Sequence, residues 1–539
     1  MKQKIILSIF FVIVLSLNVS AEEIEIFNCE DIQNIPRLSS ESYVLHSDID
    51  CSMTKNLNNG LGFKPLDSFR GIFDGNGYSI RNLNINRPNE KNIGLFGVFT
   101  NSHPNQNAKI VDLKVFGNIT GKDSVGGIIG MNEGGLIENL YFEGTVIGEK
   151  NVGGLVGRNS GEGTILSSSS SGSVIAWEES EAIGGLVGSN VGNAIVNSSS
   201  NSFVMGDRVV GGLIGYNTGR IVSHCNYDGT VLANGWLGGI IGTNKDSGPT
   251  NPSGLRFGGT AFPNYPHTGI VQNCYSSGKI GSPDVDSIYV GGLIGLNEGG
   301  NISNSFSDSF IMGKAGIGGL IGGHIGFIEN SYFSGDVSGA YFIGGLVGIN
   351  GNETLNGAIK KSYFNGGIWS FNQQVLGQKV AGTITGNNDG GLIEDSYYYK
   401  TDSLDSDKCY AFDCEAKKGE GQCNSFGETG CIGILSKDYF NIKDNLPIKD
   451  WDFVNIWEIE NSKIVLRDYK ENSVDIEGVE VEYTPNVQIS TIKSNDQTFG
   501  KGFFSLSPIV IGVIILFIIL IFLVIIIRSH KNSNKINTS

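Results

Sequence analysis

The chain is poor in what most active sites need. Of its 539 residues only six are histidine, and no HExxH occurs. Zinc-peptidase chemistry of that kind is therefore not expected. No GxxxxGK[ST] loop occurs either, because the Gly-Lys pairs at 121, 278, 313 and 500 are not followed by Ser or Thr. Charge is sparse at 17%, and 54 acidic residues outnumber 38 basic ones, net −16. With no basic run in the body of the chain, a nucleic-acid partner is not expected. No Asp recurs in step with the repeat described below, which argues against a calcium-binding β-roll. The acidic pairs Asp284/Asp286 and Asp405/Asp407 read as solvated turn carboxylates rather than as an acid–base couple. No catalytic residue, cofactor or metal ligand is assigned.

The two ends carry the long apolar runs. MKQKIILSIFFVIVLSLNVSA, residues 1–21, has a basic start, an apolar stretch and a small-residue site at Val19-Ser20-Ala21. It reads as a secretory signal cleaved before Glu22. Pro508 to Ile527 is free of charge and is followed by Arg528, His530, Lys531 and Lys535. Twenty such residues span about 30 Å of hydrocarbon. The basic flank places residues 528–539 in the cytosol and 22–507 outside or in a lumen. The expectation is a single-pass type I protein with one C-terminal transmembrane helix at 508–527, held in the plasma membrane or an internal one.

What the chain has in abundance is glycine, 78 residues, in a repeated phrase: VGGIIG at 125, VGGLVG at 152, IGGLVG at 183, VGGLIG at 210, LGGIIG at 237, VGGLIG at 290, IGGLIG at 317 and IGGLVG at 343. Steps between the phrases are 27, 31, 27, 27, 53, 27 and 26 residues. Each unit holds three short β-rich pieces: the phrase, an Ile-x-Asn-Ser-Tyr piece such as Ile328 to Tyr332, and a Gly-x-Val piece such as Gly335 to Val337. So little strand cannot bury a core alone, but coils stacked on coils can. We expect an all-β fold, a right-handed parallel β-helix of about ten coils of ~27 residues. Stacking puts equivalent residues in columns. Asn132, Asn159, Asn190, Asn217, Asn244, Asn297, Asn350 and Asn387 would form a hydrogen-bonded ladder, with His324 as a substitute. Tyr or Phe at 141, 275, 306, 332, 363 and 397 form either a packing column or an aromatic strip for sugars.

The phrase Gly-Leu-x-Gly, followed by Ile-x-Asn-Ser-Tyr and Gly-x-Val, resembles the GLUG repeat of bacterial and protist surface proteins. So do the opening coil, Phe69 to Ile80 and Ile93 to Gly97, and the Trp451-Asp-Phe and Trp457-Glu-Ile pieces. The resemblance covers about residues 43–466. GLUG repeats accompany some IgA-cleaving metallopeptidases, but without HExxH that activity does not carry over. The implied layout is a signal, 1–21; an N-terminal cap and first coil, 22–92; the repeat helix, 93–400; a Cys-rich C-terminal cap, 401–470; a flexible stalk, 471–507; the membrane span, 508–527; and the tail, 528–539.

Eight cysteines in an oxidising compartment read as disulfides rather than zinc ligands. Cys29 and Cys51 would pair in the N-terminal cap, and two bonds would form among Cys409, Cys414, Cys423 and Cys431. Cys225 and Cys274 both replace the Ser of Ile-x-Asn-Ser-Tyr on consecutive coils, either as a disulfide or as two buried thiols. Asn118, Asn197, Asn301 and Asn352 lie in glycosylation sequons.

The function expected is non-enzymatic adhesion or recognition at the cell surface, with an extracellular protein or glycan as ligand. A carbohydrate-active β-helix enzyme and a structural coat component are the alternatives. Where the repeat breaks is the place to look. Asn244 to Val271 takes 27 residues where an ordinary coil takes five, so 22 are inserted. This insertion loop, 245–269, holds four of the chain's twelve prolines and offers Arg256, Phe257, Phe262, Tyr265 and His267, residue types that dominate binding hot spots. The same rings could instead pack the loop against the helix.

Overall fold

The computed structural model describes residues 23–101, 107–246, 269–282, 286–352, 357–370, 381–399, 431–434, 436–467, 474–476 and 479–481. The chain divides into two units, Met1–Asp468 and Tyr469–Ser539. In the second, Val474–Ile476 pairs antiparallel with Val479–Val481, inside the stretch expected as a flexible stalk. No helix among the described residues is long and apolar enough to cross a membrane. The expected signal and span lie outside them.

The first unit is a parallel β-solenoid of about ten coils, as expected. One coil and the opening of the next run through Asp123–Gly126, Ile129–Glu133, Leu136–Glu138 and Tyr141–Gly153, the last strand carrying two columns before it re-enters the first at Lys150–Gly153. Each of these pairs in parallel with the same piece one period on, for example Ile129 with Val156, Ile137 with Ile165 and Phe142 with Ser170.

There are five strand columns per coil, not the three pieces read from sequence, because two pieces bend. The phrase bends at its Gly-Gly. A Cβ on Gly126 would lie 2.2 Å from the carbonyl oxygen of Ile129, and one on Gly127 would lie 2.3 Å from both the Phe142 ring and the Gly154 oxygen. Only glycine permits that approach. Ile-x-Asn-Ser-Tyr bends at its Asn. Asn139, Asn197, Asn273, Asn304 and Asn330 all have φ between 48° and 53°. Asn adopts this left-handed corner more readily than most side chains, which explains why it recurs there.

Inward residues make one continuous core. Ile137, Phe142, Val146, Val152, Leu155 and Val156 are fully buried, and their equivalents repeat along the stack. The Ser column is also inward. Ser305, Ser331 and Ser362 each donate to the carbonyl two residues back, at 2.7–2.8 Å, and accept the main-chain N–H of the preceding coil's column residue. These buried hydroxyls are thereby satisfied.

At the N-terminal end, a short helix, Cys29–Gln33, is capped by Asn28 with Asp31 completing a capping box. The Cys29–Cys51 disulfide is present, with Cα atoms 5.3 Å apart. Ile32, Cys51 and Phe63 are buried against the first coils.

The asparagine column is a ladder in fact. The Nδ2 of Asn132, Asn159, Asn190, Asn217 and Asn244 each donates to the Oδ1 of the next at 2.7–2.8 Å, and all are fully buried. The last rung corrects the sequence assignment. Asn350 donates to Asn388 at 2.8 Å, while Asn387 pairs with Ile349 and faces outward. In Gly386-Asn387-Asn388 it is the third residue, as in every Gly-x-Asn, whose side chain turns inward.

Asn217→Val should orphan a buried donor on Asn190 and a buried acceptor on Asn244, costing about 2–5 kcal/mol. A melting temperature that fell by several degrees would agree; an unchanged melt would remove the ladder as a source of stability.

Candidate functional site

The large break in the repeat is a clean insertion. Ile241–Lys245 and Ile270–Gln272 occupy one coil. They pair with Ile214–Asn217 and Ile221–Ser223 below, and with Ile294–Ser303 above. Asn244 Nδ2 donates to the Gly269 oxygen at 2.8 Å, and the Gly269 N–H to the Gly219 oxygen at 2.8 Å, so the two ends of the loop meet. The Lys245–Glu298 ion pair at 3.3 Å flanks the exit. Arg256, Phe257, Phe262, Tyr265 and His267 lie outside the described residues. Tyr289 sits over Gly316 and Gly323, since Cβ atoms there would come within 2.9 and 2.8 Å of its ring.

A second, smaller break was not singled out from sequence. The 31-residue step adds its residues in two places: one between Ser160 and Thr164, and three at one corner, where Gly148 pairs with Ala176 but Lys150 pairs with Glu181. Trp177 on this bulge is 39% exposed, and Glu179 has φ 62°. Asp207 of the next coil braces it, accepting from the Glu179 N–H at 3.2 Å and donating its own N–H to Ser180 Oγ at 2.9 Å. Only the four-residue excess in spacing marked it.

The aromatic column faces outward and is covered. Tyr275, Phe306, Tyr332 and Tyr363 stack at 4.8–5.2 Å with planes within 6°. The next ring in the stack is Phe440, 4.4 Å from Tyr363. Residues 436–467, most of the described part of the expected C-terminal cap, lie over this flank. Trp451 and Trp457 pack on Tyr332, with Phe440, Ile448 and Ile464 in the same buried cluster. Tyr332 O–H donates to the Ile464 carbonyl, and Trp451 Nε1 to the Lys361 carbonyl at 3.1 Å. Of the two sequence readings, packing column fits, for the stretch 306–363. Tyr141 stands apart, edge-on to Phe116 and bonded to Glu143.

Cys225 and Cys274 lie on consecutive coils, as expected, and of the two readings of this pair the disulfide does not hold: both are free buried thiols. Each sulfur points to the carbonyl two residues back, Ser223 and Gln272, at 3.2 Å. The thiols thus imitate the serines whose column they share. Burial and the neighbouring Cys225 push the Cys274 thiol well above its ordinary pKa. Cys409, Cys414 and Cys423 lie outside the described residues; Cys431 opens a strand, Cys431–Ile434, paired with Ser396–Tyr399. Among the sequons, Asn118, Asn301 and Asn352 are exposed, and Asn197 is half-buried with its amide on Ser167 Oγ at 3.1 Å.

His324 holds one rung of the ladder, in register with Asn297 and Asn350. Its Nδ1 lies 3.3 Å from Asn297 Nδ2, an N–H donor, so this nitrogen accepts and the neutral ring carries its proton on Nε2. The Nε2 and Asn350 Oδ1 make no hydrogen bond, so the ladder is open at that point. Burial pushes the His324 pKa down to about 4, against a weaker opposing pull from the backbone of Ala358 and Gly326. His224, at a left-handed corner, is also pushed down to about 4 by burial.

Among the described residues, no group of three His, Cys, Asp or Glu is placed to hold a metal. The carboxyls raised by burial are Asp74 and Asp308. Asp112 also raises Asp74, and Lys463 partly offsets the shift at Asp308. Of the sequence pairs, Asp286 bonds Lys314 at 2.8 Å, and Asp284, Asp405 and Asp407 lie outside the described residues.

With this geometry, comparison with known proteins is specific to the repeat. The model of the GLUG motif matches residues 123–147, 148–175 and 286–309, each spanning pieces of one coil. Three stretches of the solenoid thus match the GLUG motif. A 99-residue stretch is 37% identical to halomucin of Haloquadratum walsbyi (strain DSM 16790 / HBSQ001); it is 18% of this chain and 1% of halomucin. A candidate immunoglobulin A1 protease of known structure from Bacteroides ovatus aligns over 84% of this chain and 94% of its own, at 15% identity and a TM-score of 0.24. So low a score supports no functional argument.

Two outcomes follow from the buried groups. Alkylating the denatured, unreduced protein should modify Cys225 and Cys274 and leave Cys29 and Cys51 untouched; mass spectrometry that found 225 and 274 crosslinked would contradict the thiol assignment. Acid should act through His324. The unfolded chain binds a proton near pH 6.5 and the folded chain only near 4. The stability held by the neutral ring is therefore complete above about pH 6.5 and declines as the pH falls to about 4, by of order 3 kcal/mol. His324→Asn, which restores an acceptor and a donor to the column, should raise the melting temperature at pH 7 and weaken its fall at pH 4. The His224 contribution would remain.

Proposed function

We propose that this chain is a non-enzymatic cell-surface recognition protein, its solenoid serving as a stiff support and the insertion between Lys245 and Gly269 as the recognition element. In this reading residues 1–21 direct secretion, 508–527 anchor the chain with its tail in the cytosol, and the ligand is an extracellular protein or glycan. The observation that carries it is the uninterrupted pairing on both sides of the insertion. The strands that flank the 22 extra residues, Ile241–Lys245 and Ile270–Gln272, keep their place in the columns against the coils on both sides. A loop held at a fixed point on a rigid scaffold is the arrangement repeat proteins use for binding. GLUG repeats and the local similarity to halomucin favour a surface setting.

Replacing residues 246–268 by a two-residue turn should leave melting unchanged, because Asn244 and Gly269 already adjoin. Binding in a glycan-array and cell-binding screen should be lost. Retained binding on a still-folded solenoid would remove the loop as the site. An antibody reaching a tag after Ser539 on unpermeabilised cells would overturn the topology.

A further inference from the structure

The segment 436–467 is joined to the solenoid differently from the way the coils are joined to each other. Neighbouring coils share backbone ladders in successive columns, as between Ile321–Glu329 and both Val347–Asn350 and Ala358–Lys360. Among the described residues, no strand of 436–467 pairs with a solenoid strand; its own Trp457–Glu460 and Lys463–Leu466 pair with each other. Its attachment is a row of rings, Phe440 on Tyr363, Trp451 on Tyr363 and Tyr332, and Trp457 on Tyr332 and Phe306, with the two hydrogen bonds from Tyr332 and Trp451. The ion pair of Arg467 with Glu458 at 3.2 Å, and its bond to the Phe453 carbonyl at 2.8 Å, close the segment on itself.

We infer that this segment is a detachable strap, a mechanical latch that peels from the aromatic column under tension before any coil opens. The inference rests on the proposed C-terminal anchorage, because tension then enters the folded unit at Arg467. Covalent order decides what happens next. Force passing from Arg467 reaches the hairpin, then Trp457, Trp451 and Phe440, and only afterwards the strand Cys431–Ile434 that pairs with Ser396–Tyr399. The rings are loaded one after another from one end, so their contacts break singly rather than together. The backbone ladders, in contrast, load several hydrogen bonds at once. Release of residues 436–467 frees roughly 11 nm of chain at ~3.4 Å per residue. The solenoid would stay folded while the bound protein moves away from its anchor. Phe306, Tyr332 and Tyr363 keep their stack on one another, so the strap has a seat to return to when tension falls.

Single-molecule pulling of the full-length chain, held by tags placed after Glu22 and after Ser539, tests this without a membrane. The expected trace shows a first event of roughly 11 nm that reforms on relaxation, at a force below every later one. Phe440→Ala and, as a milder change, Tyr332→Phe should lower the force of that event and leave the later coil events unchanged. A trace whose first event is the opening of coils, or one in which strap and coils release together, would overturn the latch. So would variants that weaken coil events and spare the first. A normal latch with the tail found outside the cell would instead count against the anchorage alone.

Discussion

Everything in the first unit depends on parallel backbone pairing at constant register between one coil and the next. A single coil has no core worth the name; its inward Ile, Leu and Val become buried only when another coil lies on each side. Register makes the columns, and the columns then select the residues. Where the phrase bends and a side chain would meet the backbone, the column is glycine, at Gly126 and Gly127 and their equivalents. Where a polar group must face inward, the column is Asn or Ser, bonding along the stack. Where the chain turns through a left-handed corner, Asn recurs, as at Asn304 and Asn330.

Such a scaffold separates stability from function. Interior positions are constrained from both sides, so change is cheapest at corners, where extra residues can leave without moving a strand. The insertion after Lys245 and the bulge at Trp177 are both of this kind, and in both the pairing resumes in register. The strap shows a third use of the surface: outward aromatics that would otherwise be exposed become a seat for a segment from the end of the same unit.

Much of the fold was legible because repetition amplifies weak signals. One Gly-x-Asn says little, but seven in phase predict a ladder, and the structure holds it. The error came where the pattern was degenerate: in Gly386-Asn387-Asn388 two asparagines compete, and only position relative to the glycine decides. The bends at Gly-Gly and at the Ile-x-Asn corner escaped because each recurring phrase was read as one piece, whereas the close contacts at Gly-Gly and the left-handed φ of Asn divide it. The sense of the aromatic column could not be read at all. Tyr332 and Phe333 are both aromatic, so alternation gives no polarity. What decides is the company of each, Phe333 in the central core and Tyr332 under Trp451 and Trp457. The thiol state of Cys225 and Cys274 was equally hidden, since spacing shows that two residues stack but not what their sulfurs bond. For function, the sequence located the insertion by length alone, and the structure adds that its two ends meet.

The central claim is that the stack is continuous through the insertion, so that the loop is borne by one support and not by two halves hinged at Asp246. Amide hydrogen exchange of the native protein measures this directly. Continuity predicts that Ile241–Lys245 and Ile270–Gln272 are protected to the same degree as Ile214–Asn217 and Ile294–Ser303 on either side. Fast exchange confined to Ile241–Lys245 and Ile270–Gln272, between protected neighbours, would contradict it.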